Sequence, residues 1–119
     1  MRGRSTIIAI CVTCLGLAFP SAALAAYGAI AVDAKTGAYG LSFSYNTVGA
    51  AKKRARNECG KPGCRVLCQI GNGWCAVVET PTAYYGGFGR TRNLAFRDAR
   101  QAAHNNRATR VASVFSGFG

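Results

Sequence analysis

The chain has 119 residues and a formal net charge of +11, from fifteen Lys and Arg against four Asp and Glu. This length allows one small domain. His104 is the single histidine, which excludes a histidine-rich metal site and a ribonuclease-like pair of catalytic histidines.

The first 25 residues have the three-part layout of a secretory signal peptide. Arg2 and Arg4 form a basic start, residues 7–19 are almost wholly apolar, and Ala23 and Ala25 make an A-x-A cleavage pattern. The apolar run is too short to span a bilayer comfortably, and no second run exists. We therefore expect cleavage between residues 25 and 26 and a secreted or periplasmic protein without a transmembrane segment. The mature charge is then +9, from thirteen basic and four acidic residues.

The mature chain begins with the pattern strand, turn, strand, helix. Residues 27–32 are rich in strand-forming residues, 33–37 form a turn, and 38–45 alternate between an apolar and a small or polar face. Asn46 or Thr47 caps the helix that follows, and Gly60 ends it. Its apolar stripe consists of Val48, Ala51, Ala55 and Cys59.

Four cysteines remain after removal of the leader: Cys59, Cys64, Cys68 and Cys75. In an exported chain they predict two disulfides that reinforce a small core. Cys64 and Cys68, four apart on one strand, lie about 13 Å apart and cannot bond each other. Two pairings remain, 59–64 with 68–75 or 59–68 with 64–75. The first is preferred because each bridge then crosses a short turn. The spacing lacks the paired knuckles of a zinc site, so no metal is expected.

The rest of the chain predicts a second strand–turn–strand–helix unit. A strand over 64–70 and a tight hairpin at 71–73 lead to strands at 74–80 and 83–88, the latter with glycines that indicate a bulge or a close backbone approach. Thr91 caps a helix that runs to about His104. Residues 105–119 form a polar C-terminal tail, in which 111–115 add one short edge strand.

The two units are internal repeats. Ala31-Val32, Ala38-Tyr39 and Phe43 recur 45 residues later, and Thr47, Ala51, Ala55 and Arg56 recur 44 residues later. The predicted fold is an α+β two-layer sandwich of about five antiparallel strands with two helices on one face. It consists of two ββα pseudo-repeats and occupies residues 26–104.

Short motifs in this order resemble the domain of unknown function 4189 family of exported bacterial proteins. They are residues 27–32 (YGAIAV), 37–40 (GAYG), Thr47, Ala50-Ala51, Cys59-Gly60, 64–66 (CRV), 75–77 (CAV) and the segment 84–99. The resemblance implies a secreted or periplasmic, disulfide-bonded domain without an established catalytic function. This chain departs from the pattern in three ways: it has Ala76 where glycine is common, carries an additional Cys68, and lacks a cysteine near the C-terminus.

The acidic residues give little support for catalysis. Asp33, Glu58, Glu79 and Asp98 lie in separate predicted elements. Asp33 and Glu79 occupy nearly equivalent places in the two repeats, so a carboxylate-dependent hydrolase is a remote alternative. The chain has no Gly-x-Ser-x-Gly elbow, P-loop or His-Glu-x-x-His motif. We expect no enzyme activity, no catalytic residues and no cofactor.

The basic residues are the more informative feature. If the two helices lie side by side, they form one cationic face that attracts phosphate-rich or carboxylate-rich polymers. A solvated face that keeps the protein soluble is the ordinary alternative. The residues of this face are Lys52, Lys53, Arg54, Arg56, Arg90, Arg92, Arg97 and Arg100. Trp74 and Tyr85 either form a binding platform on an open sheet face or pack in the core.

Two functions follow from these patterns. The first is a monomeric, non-enzymatic binding module in the envelope or extracellular space, with a protein or glycan partner. The alternative is a cationic effector, antimicrobial or host-directed, that binds anionic polymers or lipid surfaces. The charge favours the second, and the disulfide-bonded repeat architecture favours the first.

Overall fold

The computed structural model describes residues 26–117 and confirms the α+β class, with six strands rather than five. The elements, in chain order, are β1 (Tyr27–Asp33), β2 (Tyr39–Tyr45), α1 (Val48–Cys59), β3 (Cys64–Gly71), β4 (Gly73–Glu79), β5 (Tyr84–Gly89), α2 (Arg92–Ala102) and β6 (Thr109–Ser116).

The six strands form two separate antiparallel sheets of three strands. One has the order β2-β1-β3 and the other β5-β4-β6. Each sheet is made by one continuous ββαβ unit, so the repeat is longer than the predicted ββα. The strand expected between the repeats is the last strand of the first unit. The edge strand expected near the C-terminus is β6, which places residues 109–116 inside the domain rather than in a tail.

The chain passes from the first sheet to the second at Asn72. The hairpin predicted at residues 71–73 is therefore wrong, because β3 pairs with β1 and β4 pairs with β5 and β6. Asn72 does adopt the left-handed conformation that such turns favour, with φ of 65°. Turn residues specify a reversal of the chain, but they do not specify which strand the returning segment pairs with.

The two central strands explain why the molecule has four layers. In β1, Ala29 and Ala31 pack against α1, whereas Ile30 and Val32 pack between the sheets. In β4, alternate residues likewise face α2 or the space between the sheets. Both faces of β1 and β4 are therefore buried. The sheets stack on each other, and one helix packs on each outer side. The prediction of both helices on one face is wrong for this reason.

Small residues bring each helix close to its sheet. A side chain at Gly40 would clash with the backbone of α1 at Ala55, and one at Gly87 would clash with α2 at Ala99. The close backbone approach expected for the glycines of β5 is thus present. Alanine and glycine on both surfaces allow tight packing without large side chains.

The helix ends follow the sequence signals. Thr47 and Thr91 are the N-caps, and each hydroxyl accepts a hydrogen bond of 3.1 Å from a backbone amide three residues later. Gly60 ends α1 in the left-handed conformation, with φ of 75°. After α2 the left-handed residue is the exposed His104, with φ of 52°.

Two disulfides with the preferred pairing are present. Cys59–Cys64 joins the end of α1 to the start of β3, with a Cα–Cα distance of 6.2 Å. Cys68–Cys75, with a Cα–Cα distance of 5.9 Å, links the two sheets through the core between them rather than across a hairpin. Within residues 26–117, both α1 and α2 fall short of the length and apolar character that a membrane-spanning helix needs.

Candidate anion-binding site

The structure divides the eight predicted basic residues into two groups. Because α1 and α2 cover opposite outer faces, the four residues of α1 are separated from the four at α2 by both sheets. One continuous cationic face is therefore not formed.

The basic group of α1 is partly neutralised. The Nη2 atom of Arg54 lies 2.7 Å from Oε2 of Glu58, one turn later on the same helix. Lys53 and Arg56 are exposed and Lys52 is half-buried. These side chains have the character of a solvated helix surface, on which ion pairs contribute little to stability.

Beside α2, Arg92 of the predicted group and Arg110 of β6 both hold their guanidinium groups against one aromatic ring. The guanidinium carbon of Arg110 lies 4.4 Å from the ring centroid of Phe96, and that of Arg92 lies 5.8 Å from it. Phe96 is buried, with 1% of its surface exposed. Because the Phe96 ring is fixed by its packing in the core, the cation–π contacts with it restrict the positions of the two guanidinium groups.

Neutral hydrogen-bond partners orient the same two arginines. Nε of Arg92 donates to the Ser113 hydroxyl at 3.1 Å, and Nη2 of Arg110 lies 3.5 Å from the Asn93 side-chain oxygen. Across residues 26–117 the one salt bridge is that of Arg54 with Glu58. The charges of Arg92 and Arg110 are therefore held in place without a carboxylate to neutralise them.

The position of Arg92 is unfavourable for the helix itself. It is the first residue of α2, where the helix dipole disfavours a cation, and the first turn contains no acidic residue. Arg90 stands immediately before the N-cap. A positive cluster at this end of a helix opposes stability, and such departures from local rules are typical of functional sites.

Two further arginines of the predicted group have different roles. Arg100 donates from Nε to the Ala108 carbonyl at 3.0 Å, which ties the end of α2 to the segment before β6. Arg97 is exposed beside a groove between α2 and β5. Arg100 is therefore structural, whereas Arg97 is available to a ligand.

Sequence reasoning missed Arg110 and Phe96. Arg110 fell in the segment interpreted as a polar tail, and Phe96 was passed over in the second helix. Extending the repeat by its third strand would have placed residues 109–116 beside α2. Trp74 and Tyr85 pack against α2 as part of the core, and the Trp74 ring lies 5.5 Å from that of Phe115.

The carboxylates of Asp33 and Glu79 both act on Tyr84. Burial raises the pKa of the Tyr84 phenol, as do its hydrogen bond to Glu79 and the negative charges of Glu79 and Asp33. Asp33 also accepts from the Thr36 hydroxyl at 2.7 Å within its own turn. Asp33 ends β1 and Glu79 ends β4, each just before a hairpin loop. The contacts of both carboxylates are therefore with residues in or beside these loops.

Comparison with known proteins agrees with the motifs found in the sequence. The chain is 40% identical over 73 residues to Protein Rv1269c of Mycobacterium tuberculosis and, equally, to Protein Mb1300c of Mycobacterium bovis. These matches cover 61% of this chain and 57% of each relative. No solved structure matches the chain. The family model described as Domain of unknown function (DUF4189) matches residues 27–115, and the chain therefore belongs to that family.

Proposed function

We propose that the protein is an exported, non-enzymatic binding module for an anionic ligand, and that Arg92 and Arg110 make the principal contacts. The observation that carries this proposal is the pair of guanidinium groups held over Phe96 without a carboxylate partner. The signal-peptide pattern of residues 1–25 supports export, and the two disulfides suit an oxidising compartment.

Arginine is well suited to this task. Its planar guanidinium donates paired hydrogen bonds to phosphate or carboxylate, and such charge-assisted bonds are about twice as strong as neutral ones. Arg92 and Arg110 are already oriented by Phe96, Ser113 and Asn93. Less side-chain entropy is then lost on binding, which favours affinity.

The layers of the fold restrict where a partner binds. The central strands are covered by the helices on one side and by the other sheet on the other, so the open sheet surface among residues 26–117 is confined to the edge strands. The proposed contact surface is therefore the exposed side of α2 and β6. A phosphate-rich or carboxylate-rich polymer fits the charge of this surface.

Titration of the exported, oxidised protein with inorganic polyphosphate tests the proposal. We expect the double variant Arg92→Ala, Arg110→Ala to bind at least about tenfold more weakly, which corresponds to about 1.4 kcal/mol. The matched control is Lys53→Ala, Arg56→Ala, which removes the same charge from α1. This control variant is expected to lower the affinity for polyphosphate much less, because it changes only the long-range electrostatic potential of the protein and not the proposed site.

Salt dependence separates a defined site from a diffuse charge effect. Affinity should fall as salt rises, and the slope should decrease in the Arg92, Arg110 variant because fewer ligand charges are neutralised. Equal losses of affinity in the two double variants would show that net charge alone binds the polymer, and the proposed site would then be wrong.

A further inference from the structure

A shallow, open groove that contains two apolar side chains lies on the other side of α2 from Arg110, between the helix and the edge strand β5. Phe88 and Leu94 line it and are unusually open, with 62% and 40% of their surfaces exposed. The groove has a volume of about 540 Å³. Gly89, Arg90, Arg97, Asp98 and Gln101 complete its lining. Exposed large apolar side chains side by side are a feature of interaction surfaces.

The groove is poorly suited to a partner that adds a strand to β5. The Asp98 carboxylate accepts a hydrogen bond of 3.1 Å from the Phe88 backbone amide. An added strand would compete with Asp98 for this donor. A second copy of the chain is also disfavoured, because residues 26–119 of each copy carry a net charge of +9. Pairing two grooves would place the positive charges of Arg90 and Arg97 next to those of the other copy, and like charges repel.

The charges around the groove indicate which partner fits it. Arg90 and Arg97 flank the two apolar side chains, and Arg92 follows at the start of α2. Asp98 is the one acidic residue in the lining, and its carboxylate is engaged by the Phe88 amide. The exposed side chains of Phe88 and Leu94, with guanidinium groups beside them, suit a partner that is apolar inside and anionic at its surface.

We propose that this groove attaches the protein to the surface of an anionic lipid bilayer. Phe88 and Leu94 enter the headgroup region, and Arg90 and Arg97 contact the lipid phosphates. Aromatic and leucine side chains partition into this region, while arginine is attracted to anionic headgroups. The inference rests on the proposed function, since Arg92 at the start of α2 stands next to both surfaces, and it names anionic lipid as the ligand of the neighbouring Arg90 and Arg97.

Vesicle binding tests the inference with a control that the repeat provides. Phe43 is aligned with Phe88 and is equally open, with 61% of its surface exposed. At the position of Leu94 the first repeat has Ala50, and at that of Arg90 it has Asn46. Phe43→Ser is therefore matched to Phe88→Ser in exposure and chemistry, but it lies outside the groove.

The first measurement is cosedimentation with vesicles of phosphatidylcholine, with and without phosphatidylglycerol. We expect the wild-type protein to bind the anionic vesicles and the double variant Phe88→Ser, Leu94→Ser to bind them at least about tenfold more weakly. Phe43→Ser should bind as the wild type does. Both changes affect exposed side chains, so circular dichroism should be unchanged.

A second measurement reports insertion directly. Phe88→Trp should gain fluorescence that brominated anionic lipid quenches, above the background of Trp74, and Phe43→Trp should not. Vesicle binding that survives Phe88→Ser, Leu94→Ser, or a Trp at position 88 that the lipid does not quench, would overturn the inference.

Polyphosphate binding keeps the two proposals distinguishable. The Phe88, Leu94 variant should bind polyphosphate as the wild type does, because its arginines are intact. If Arg92→Ala, Arg110→Ala weakens polyphosphate binding while Phe88→Ser, Leu94→Ser leaves vesicle binding unchanged, the lipid inference fails and the anion-binding function stands. If the Arg92, Arg110 variant binds polyphosphate normally, the proposed function itself fails.

Discussion

The two repeats share one scaffold and differ along one flank of the helix. In both, a threonine caps the helix and two alanines one turn apart pack on the sheet. At the flank of the helix, however, the first repeat has Lys52 where the second has Phe96, and Val48 where the second has Arg92. The caps and the packed alanines are matched, and the residues on this flank are not.

This difference indicates which repeat binds a ligand. Small residues at the helix–sheet contact are needed wherever the helix lies close to the strands, so both repeats have them. The ring of Phe96, which packs in the core and also orients two arginines, occurs in the second repeat only. The second repeat is therefore where a ligand is expected, and the first is its internal control.

The largest expected difference between the repeats is at the aligned pair Phe96 and Lys52. Phe96→Ala should lower the free energy of unfolding by about 3–5 kcal/mol, because it removes a buried ring. Lys52→Ala should change it by no more than about 0.5 kcal/mol. Urea denaturation of the oxidised variants measures both. Similar costs at the two positions would mean that the repeats do not differ in packing as described.

The helix ends provide a smaller test. Gly60 and His104 both have positive φ, which glycine tolerates and histidine does not favour. Gly60→Ala should cost about 1 kcal/mol, whereas His104→Gly should gain up to about 1 kcal/mol, less the added entropy of the unfolded chain. Thermal unfolding shows the sign. Stabilisation by Gly60→Ala would contradict the strain argument.

The smallest expected effect depends on pH and concerns the hairpin loops. The pKa of Tyr84 is raised from 10.0 by burial, by the hydrogen bond to Glu79 and by the charges of Glu79 and Asp33. The folded state therefore favours the neutral phenol, and this contribution to stability is present below pH 10 and lost as the pH rises through the higher folded pKa.

Tyr84→Phe should remove that alkaline loss of stability. Unfolding free energies at neutral pH and above pH 10 measure it, with Tyr39→Phe on the other hairpin as the control for a second tyrosine. An alkaline loss of the same size in Tyr84→Phe and in the wild type would contradict the assignment.

Much of the fold was accessible from local patterns. The strand over residues 38–45, the threonine caps, the repeat and the preferred cysteine pairing all correspond to features of the structure. These features depend on neighbouring residues or on short loops, where propensity and hydrogen bonding act directly. The alternation did not indicate the buried face of this strand, because Gly40 and Ser42 are buried under α1 whereas Tyr39 and Phe43 are exposed. The repeat was recognised, but its third strand was assigned elsewhere because strand pairing joins distant segments.

The candidate site was less accessible for the same reason. Arg92 was among the predicted residues, but Arg110 and Phe96 are brought to it only when β6 pairs with β4 beside α2. The predicted cationic face failed because it assumed that the helices are neighbours. The count of charged residues showed that the surface is positively charged, and the arrangement of the two sheets decided where those charges lie.

The amino-acid sequence by itself determined the α+β class, the two repeated units, the helix caps and an excess of positive charge. Tertiary structure alone decided that the sheets stack with a helix on each outer side, that Cys68–Cys75 joins the sheets, and that Arg92 and Arg110 share the ring of Phe96. Local elements follow from short-range preferences. Their assembly follows from burying both apolar faces of β1 and β4, and a pattern of apolar residues does not say which element covers each face.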